Sequence, residues 1–299
     1  MAKTTSWIKA FRLRTLPLAM SSIFMGSLLA IYDGIYSWTV IIFAIITTLF
    51  LQILSNLAND FGDSLKGTDN PNRLGPKRTV QSGEITARQM KIAIVVFALL
   101  SFISGLALLY FAFEKDLWKI FIFILIGIGA IVAAIKYTVG KKAYGYSGYG
   151  DLFVFLFFGI IGVAGTYYLN TNHLRWDILL PAASIGFFSM GVLNLNNMRD
   201  IENDLKSGKR TVASKFGFDR AKFYHEFLIH AGGVTSTIFV VLNYQSAWNL
   251  LYMLLMPLFL IDLLKINKTK DKALLDPFLK KLAISTLLFS LIFGIGLLI

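Results

Sequence analysis

One stretch of the sequence joins a long apolar run to a cluster of acidic residues, and residues 38–69 read WTVIIFAIITTLFLQILSNLANDFGDSLKGTD. Its apolar part has about twenty residues, the length that a helix needs to cross the hydrocarbon core of a bilayer. A spanning segment must satisfy its backbone hydrogen bonds internally, so a helix is the default. The stretch therefore predicts a membrane-spanning helix that ends near Asn59, Asp60 and Asp63.

The rest of the chain has the same apolar character. Of 299 residues, 56% are hydrophobic and 15% are charged, and the mean hydropathy is +0.65. A soluble domain carries about 25% charged residues. The sequence therefore predicts an all-α integral membrane protein with a single transmembrane domain over residues 1–299. The nine predicted spans are 15–32, 38–58, 87–112, 118–136, 150–169, 177–199, 222–242, 248–266 and 279–299.

The distribution of basic residues predicts how the chain crosses the membrane. With nine spans, 26 of the 29 Lys and Arg residues fall on one face, and only Lys115, Lys119 and Arg175 fall on the other. Basic residues accumulate in cytoplasmic loops, so the N-terminus is predicted to be cytoplasmic and the C-terminus outside. The net charge of +12 follows from this topology, and we expect a lipid bilayer but no nucleic acid as a partner.

The basic N-terminus before the first span invites comparison with a signal peptide. The apolar stretch after Arg14 is long for such a segment and lacks a clear cleavage site, so we expect a retained helix. The chain contains no cysteine. Disulfides, thiolate metal sites and thiol nucleophiles are therefore excluded.

A second polar cluster ends the sixth span, where residues 194–206 read NLNNMRDIENDLK. Asn197, Asp200 and Asp204 have spacings that place them on one face of one helix, and the same holds for the first cluster. A similar basic loop follows each cluster, at 75–79 and 208–211. Because the clusters lie four helices apart, they predict a pseudo-repeat of helices 1–4 and 5–8, with helix 9 added.

The two clusters together suggest a metal site at one membrane face. Neighbouring carboxylates repel one another and require a cation. An all-oxygen ligand set without nearby Cys or His suits Mg²⁺ rather than Zn²⁺. The candidate ligands are Asp60, Asp63, Asp200 and Asp204, with Asn56 and Asn59 as neutral donors. Helix caps and topological loops would explain either cluster alone, but two equivalent clusters favour a Mg²⁺–diphosphate site.

The loop between the fourth and fifth spans is rich in tyrosine and glycine. Lys136 and Tyr137 precede it, Tyr144 lies within it, and Asp151 ends it. This composition predicts an aromatic mouth of a pocket. Asp151 is either a helix N-cap or a group that orients an acceptor's hydroxyl, and the sequence leaves both open. Asn197 is a further candidate for contact with an acceptor.

The motifs resemble those of the UbiA-type intramembrane prenyltransferases. They are Asn59-Asp60-Phe-Gly-Asp63 and Asp200-Ile-Glu-Asn-Asp204. Many members have a further Asp where this chain has Gly67, and the next carboxylate here is Asp69. In this respect the motif resembles that of the family branch that acts on 1,4-dihydroxy-2-naphthoate in menaquinone synthesis. Four further segments also resemble this branch, namely 73–78, 81–83, 150–159 and 196–211.

The resemblance implies an enzyme of a bacterial inner membrane with its active site at the cytoplasmic face. Its substrates would be a polyprenyl diphosphate and 1,4-dihydroxy-2-naphthoate, its cofactor Mg²⁺, and its product demethylmenaquinone. The four Asp residues would be the catalytic, metal-binding groups. The residues expected to neutralise the diphosphate are Arg14, Lys66, Arg73, Lys77, Arg78, Lys209 and Arg210.

Two other functions compete with this hypothesis. Another aromatic acceptor such as 4-hydroxybenzoate would leave the donor site unchanged, although the branch motifs favour the naphthoate. An ion-coupled transporter would have its carboxylates near the centres of the spans. Here they lie at the cytoplasmic ends, which favours an enzyme.

Overall fold

The computed structural model describes residues 2–70 and 74–299. Within these ranges, nine helices are long and apolar enough to cross a membrane, and no strand occurs. The nine are α1 Thr4–Tyr32, α2 Trp38–Leu65, α3 Ala87–Phe113, α4 Leu117–Lys136, α5 Gly150–Thr171, α6 Trp176–Arg199, α7 Phe218–Leu242, α8 Ala247–Lys268 and α9 Lys272–Leu298. The predicted all-α architecture and the number of spans are confirmed.

Several helices extend further into the interface than the apolar pattern indicates. α2 continues to Leu65 instead of ending near residue 58, so its acidic cluster is helical. α1 starts at Thr4 and is interrupted at Arg12, which has a left-handed φ of 50° before a 3₁₀ turn. Hydropathy detects only the part of a helix that lies in hydrocarbon, whereas backbone hydrogen bonding continues through the polar turns at its ends.

Close helix packing depends on small residues at the contacts. Gly26 of α1 lies against α5, because a Cβ there would stand 2.4 Å from the Val163 carbonyl oxygen. Gly159 of α5 lies similarly close to the backbone of α6, because a Cβ there would stand 2.7 Å from the Ala182 carbonyl oxygen. Small residues allow such approaches in membranes, where helix association depends on van der Waals packing. α1, α5, α6 and α9 thereby form a compact group.

The two halves of the chain pack in a corresponding manner. α2 packs extensively on α3, and α6 packs extensively on α7. These pairs correspond under the predicted repeat of helices 1–4 and 5–8. α4 packs on α2 and α3, and Ala133 is its one buried residue. The face of α4 that is turned away from α2 and α3 is therefore exposed.

α5 has an irregular backbone beside the centre of the bundle. A π-helical segment, Phe155–Gly165, lies between the helical turns Gly150–Val154 and Thr166–Thr171. π-helical turns are rare and frequently occur at functional sites. The segment brings Gly162 against Ser22 of α1.

An ion-pair network fixes the ends of three helices at the face opposite the acidic clusters. Arg175 donates to Asp33 at 2.6 Å and to Asp177 at 2.6 Å and 3.1 Å. It also donates to Asn243 at 2.6 Å. α1, α6 and α7 are thereby tied together at this end.

Candidate active site

A cavity of about 440 Å³ connects the acidic end of the bundle to its apolar interior. Its polar lining includes Arg14, Asn56, Asn59, Asp63, Asp200, Asp204 and Lys209. Its apolar lining includes Leu106, Leu109, Phe123, Phe157, Phe158 and Ile161. One end of this cavity suits an anion and the other suits a hydrocarbon chain.

The two carboxylates of the first acidic cluster point to different places, one into the cavity and the other towards the loop before α3. Asp63 lines the cavity. Asp60 instead accepts hydrogen bonds from the Thr79 amide at 3.0 Å, the Thr79 hydroxyl at 2.7 Å and the Val80 amide at 3.3 Å. Three residues along an α-helix turn a side chain by about 300°, so Asp60 and Asp63 point about 60° apart. The structure thus departs from the expected grouping of Asp60 with the other three carboxylates.

The two asparagines predicted as ligands line the cavity, and they also form hydrogen bonds to neighbouring segments. Asn56 donates to the Phe11 carbonyl at 2.9 Å and to the Thr15 hydroxyl at 3.0 Å. Asn59 accepts from the Thr138 hydroxyl at 3.3 Å. These bonds join α2 to α1 and to the residues that follow α4.

The second cluster does not lie on one continuous helix, in contrast to the expectation. α6 ends at Arg199, Asp200 has φ −96° and ψ 10°, and a short helix runs over Ile201–Lys206. The bend keeps Asp200 and Asp204 in the cavity lining. Asn197 is buried and lies outside that lining, so the structure does not bring it to the predicted acceptor site.

A buried arginine that the sequence analysis did not select holds Asp200 in place. Arg199 donates to both carboxylate oxygens of Asp200, at 2.9 Å and 2.6 Å, and to Asn196 at 2.9 Å. It also pairs with Asp276 of α9, which in turn lies 3.4 Å from Arg14. Paired N–H···O bonds between a guanidinium and a carboxylate restrict orientation strongly. Asp200 is thus rigidly connected to α9 and to the cavity mouth.

Lys209 and Asp204 form a buried pair beside the cavity. The Lys209 ammonium lies 3.4 Å from Asp204 Oδ1. Burial alone would lower the pKa of Lys209, but the carboxylates of Asp204 and Asp63 raise it overall, so Lys209 is a cation at neutral pH. Burial raises the pKa of Asp204, and Lys209 opposes that rise. Among the described residues, no hydrogen-bond donor reaches the buried Oδ2 of Asp204.

Tyr146 is a second residue at the site that the sequence analysis did not select. Its hydroxyl donates to Asp63 Oδ1 at 2.7 Å, and the Lys66 ammonium lies 3.7 Å from its ring centroid. Burial and the neighbouring Asp63 raise the pKa of Tyr146, so the phenol stays protonated. The tyrosine-rich loop indicated an aromatic surface, but periodicity could not show which ring faces the carboxylates.

The other predicted diphosphate-binding residues occupy different positions. Arg78 lines the cavity, and its Nε lies 3.4 Å from Asp69, the carboxylate displaced beyond Gly67. Lys66 reaches the site through its contact with Tyr146. Lys77 and Arg210 are exposed and lie outside the cavity lining. Arg73 lies outside the described residues.

The predicted acceptor-binding residues also separate into two groups. Tyr137 and Tyr144 line the cavity, and burial raises the pKa of Tyr137 to about 12. Lys136 is exposed and lies outside the cavity lining. Asp151 is buried and accepts a hydrogen bond from the Tyr224 hydroxyl at 3.2 Å. It therefore joins α5 to α7 and lies outside the cavity lining as well.

The oxygen donors fit Mg²⁺ that is shared with a phosphate group. In the described part of the chain, no three acidic or histidine residues lie close enough to enclose an ion. Mg²⁺ usually keeps several waters and binds through one or two carboxylates plus substrate phosphates. The free Oδ2 of Asp204 and the cavity-facing Asp63 and Asp200 therefore fit a metal that arrives with a diphosphate.

Fold and site together define a class of protein, namely an intramembrane helical bundle whose cavity has the shape and lining for an anion with an apolar tail. Solved structures support the fold. A UbiA homologue from Aeropyrum pernix K1 superposes with a TM-score of 0.68 at 15% identity, over 96% of this chain and 98% of the other. A homologue from Archaeoglobus fulgidus bound to DMAPP and Mg²⁺ has a TM-score of 0.63 at 18% identity, over 95% and 98% of the two chains.

Sequence comparison assigns the family. The profile of the UbiA prenyltransferase family matches residues 19–293, and the chain belongs to this family. The 1,4-dihydroxy-2-naphthoate octaprenyltransferase of Haemophilus influenzae is 41% identical over 99% of this chain and 97% of the relative. The Escherichia coli protein of the same name is 38% identical over 99% and 96%. The family predicted from the motifs is thus confirmed.

Proposed function

We propose that the protein transfers a polyprenyl group from polyprenyl diphosphate to 1,4-dihydroxy-2-naphthoate. Diphosphate and CO₂ are released, and demethylmenaquinol, the reduced form of demethylmenaquinone, is formed. The observation that carries the proposal is the cavity itself, which joins three carboxylates and a buried lysine to a long apolar interior. A prenyl diphosphate has the same division into a charged head and an apolar tail. The names of the relatives that match the whole chain support the naphthoate as acceptor.

The diphosphate head would lie between the two acidic segments. Asp63, Asp200 and Asp204 would hold Mg²⁺, which supplies charge neutralisation to the leaving diphosphate. Lys209 and Arg78 also line the cavity and would bind phosphate oxygens. Asp60 lies outside this proposed ligand set, because it is absent from the cavity lining and its carboxylate accepts three hydrogen bonds from Thr79 and Val80.

The chain's own groups would favour ionisation of the donor. The C–O bond breaks with its electron pair leaving on the diphosphate, and an allylic cation remains. Fixed positive charges aimed at the leaving group stabilise the transition state without reorganisation. The apolar lining around Phe157 and Phe158 excludes water, which would otherwise capture the cation.

The acceptor would bind near Tyr137 and Tyr144 at the aromatic side of the cavity. The ring is electron-rich, and its carbon that bears the carboxylate attacks the allylic carbon of the prenyl cation. Loss of CO₂ then returns the C–C bond electrons to the ring. The decarboxylation replaces removal of a ring proton, so the site needs no general base for that step.

We further propose that the site faces the cytoplasm of a bacterium and that the protein lies in the inner membrane. In the sequence, 26 of the 29 basic residues fall on the side of the nine spans that also carries the acidic clusters, which supports this orientation. A cytoplasmic site would have access to Mg²⁺ and to a water-soluble naphthoate.

A reconstitution assay tests the proposed reaction. Purified protein with Mg²⁺ and a polyprenyl diphosphate would receive either 1,4-dihydroxy-2-naphthoate or 4-hydroxybenzoate, and mass spectrometry would identify the lipid product. We expect prenylation of the naphthoate with loss of the mass of CO₂. Asp63→Asn should lower turnover more than about a hundredfold, whereas Asp219→Asn, at a side chain that is 96% exposed, should leave it unchanged. Prenylation of 4-hydroxybenzoate alone would refute the acceptor assignment.

A further inference from the structure

Tyr146 connects the two acidic segments, although it belongs to neither. It lies in the loop between α4 and α5, at the end of the 3₁₀ turn Tyr144–Tyr146. Its hydroxyl donates to Asp63 at 2.7 Å, while its carbonyl oxygen accepts from the Arg210 amide at 3.1 Å. The side chain is thus bonded to the first segment and the main chain to the residues that follow the second.

The directions of the hydrogen bonds define a chain across the site. A phenol has one proton, and Tyr146 donates it to Asp63, so the Thr68 hydroxyl must donate to the Tyr146 oxygen at 2.5 Å. The Thr68 carbonyl in turn accepts from Asn203 at 2.7 Å. The two hydroxyl hydrogen bonds, from Thr68 to Tyr146 and from Tyr146 to Asp63, run in one direction and therefore polarise and strengthen one another. Asn203, between Asp200 and Asp204, is therefore connected to Asp63 through Thr68 and Tyr146.

The Tyr146 ring also lies beside two lysines. The Lys66 ammonium is 3.7 Å from the ring centroid, and the Lys209 ammonium is 5.7 Å from it. Both distances lie within the range of a favourable cation–π interaction. Lys66 follows the first acidic segment and Lys209 follows the second, so one ring holds a cation from each half of the site.

We propose that Tyr146 is a positioning residue that couples metal binding at Asp63 to anion binding at Lys66 and Lys209. The proposal rests on the proposed function insofar as it takes Mg²⁺ and a diphosphate as the ligands. Within the described ranges, Tyr146 is the one side chain that donates a hydrogen bond to the Asp63 carboxylate. Without this bond, Asp63 can turn towards the neighbouring ammonium groups, and those ion pairs compete with the metal.

The size of the effect follows from the bond that is removed. A hydrogen bond to a charged group contributes about 1.5 kcal/mol or more, which corresponds to about a tenfold change in an equilibrium constant. Tyr146→Phe keeps the ring beside both lysines and removes only the hydroxyl. We therefore expect metal affinity in the presence of diphosphate to fall about tenfold, with the KM for the acceptor unchanged.

The test uses Mn²⁺ as a paramagnetic probe, titrated into the purified full-length protein with inorganic diphosphate and followed by electron paramagnetic resonance. Tyr149→Phe is the matched control, because this tyrosine lies in the same loop and is 57% exposed. Thr68→Val removes the donor to Tyr146 but leaves the phenol, and it should weaken Mn²⁺ binding by about threefold, less than Tyr146→Phe does. The Mg²⁺ concentration that gives half-maximal turnover should rise most in Tyr146→Phe, less in Thr68→Val and not at all in Tyr149→Phe.

The outcomes separate this inference from the proposed reaction. Mn²⁺ affinity in Tyr146→Phe equal to that of the wild type and of Tyr149→Phe would overturn the positioning role. If Tyr146→Phe lowers the melting temperature, the Mn²⁺ affinity of Thr68→Val becomes the deciding measurement. An affinity equal to that of the wild type in Thr68→Val would then overturn the proposal. A tenfold loss of Mn²⁺ affinity in a protein that prenylates no naphthoate would support the role of Tyr146 and refute the acceptor.

Discussion

The two Asp residues of the first cluster are expected to respond differently to the same substitution. Asp60→Asn changes a carboxylate that anchors the loop before α3, where the Thr79 amide, the Thr79 hydroxyl and the Val80 amide all donate to it. Asp63→Asn changes a carboxylate in the cavity. The first variant should therefore lose stability, and the second should lose activity.

The structure gives the magnitude for Asp60→Asn. Asparagine has one accepting oxygen, so at least one of the three donors faces an amide NH₂ group and loses its partner. An unsatisfied buried donor costs about 1–3 kcal/mol, and the remaining bonds become weaker because the acceptor is neutral. A loss of about 2–3 kcal/mol is expected, which would lower the melting temperature by about 5 °C. Turnover should fall less than tenfold, since Arg78 next to the loop is displaced but still present.

The measurement is a thermal melt in detergent, paired with turnover at saturating Mg²⁺. Asp63→Asn serves as the contrasting variant and should melt within about 2 °C of the wild type, because asparagine can still accept from Tyr146. Its turnover should fall more than about a hundredfold, as is typical when a group that stabilises the transition state is removed. An Asp60→Asn protein that melts like the wild type but no longer binds Mn²⁺ would refute the assignment of Asp60 to the loop.

Four further changes test other parts of the structure. Arg199→Lys should lower the free energy of unfolding by about 2 kcal/mol, because one ammonium cannot replace the guanidinium contacts to Asp200, Asn196 and Asp276; a melt equal to that of the wild type would contradict this. Chelation with EDTA should abolish turnover without changing the circular dichroism spectrum, and Mg²⁺ should restore it. Gly105→Leu should reduce turnover of long-chain donors by about tenfold relative to short ones, because the residue lines the cavity and its Cβ would meet only Thr47 at 3.8 Å; equal turnover of both donors would show that the tail lies elsewhere. Gly62→Ala should lower the free energy of unfolding by about 1–3 kcal/mol, since its Cβ would stand 2.5 Å from the Thr138 hydroxyl, and denaturant or thermal unfolding would measure it.

Much of the architecture was determined by the sequence because it follows from the membrane. Apolar runs of spanning length must become helices in lipid, and the loops between them carry the charge pattern of the topology. The positions of all nine helices were predicted for this reason, with errors only at their polar ends. The acidic clusters at the ends of α2 and α6 were likewise visible, because uncompensated carboxylates near a membrane indicate function.

The tertiary structure decided which of these polar groups face the cavity. Asp60 and Asp63 belong to one motif, yet a rotation of about 60° directs the first to Thr79 and the second to the cavity. The sequence also predicted Asp151 and Lys136 as acceptor-binding residues. Asp151 instead packs against α7, and Lys136 is exposed at the surface, so both lie outside the cavity lining. Helical periodicity predicts the direction of a side chain around the axis of its helix, but not which neighbouring helix or cavity lies in that direction.

The contacts of Tyr146 and Arg199 could not be predicted either, because their partners are distant along the chain. Tyr146 bonds to Asp63, 83 residues away, and Arg199 pairs with Asp276, 77 residues away. Such pairs form only when the loops and helices of both halves meet at one end of the bundle. The sequence alone determined that two acidic segments share a membrane face, and the packing of the bundle determined how Tyr146, Arg199 and Lys209 make them one site.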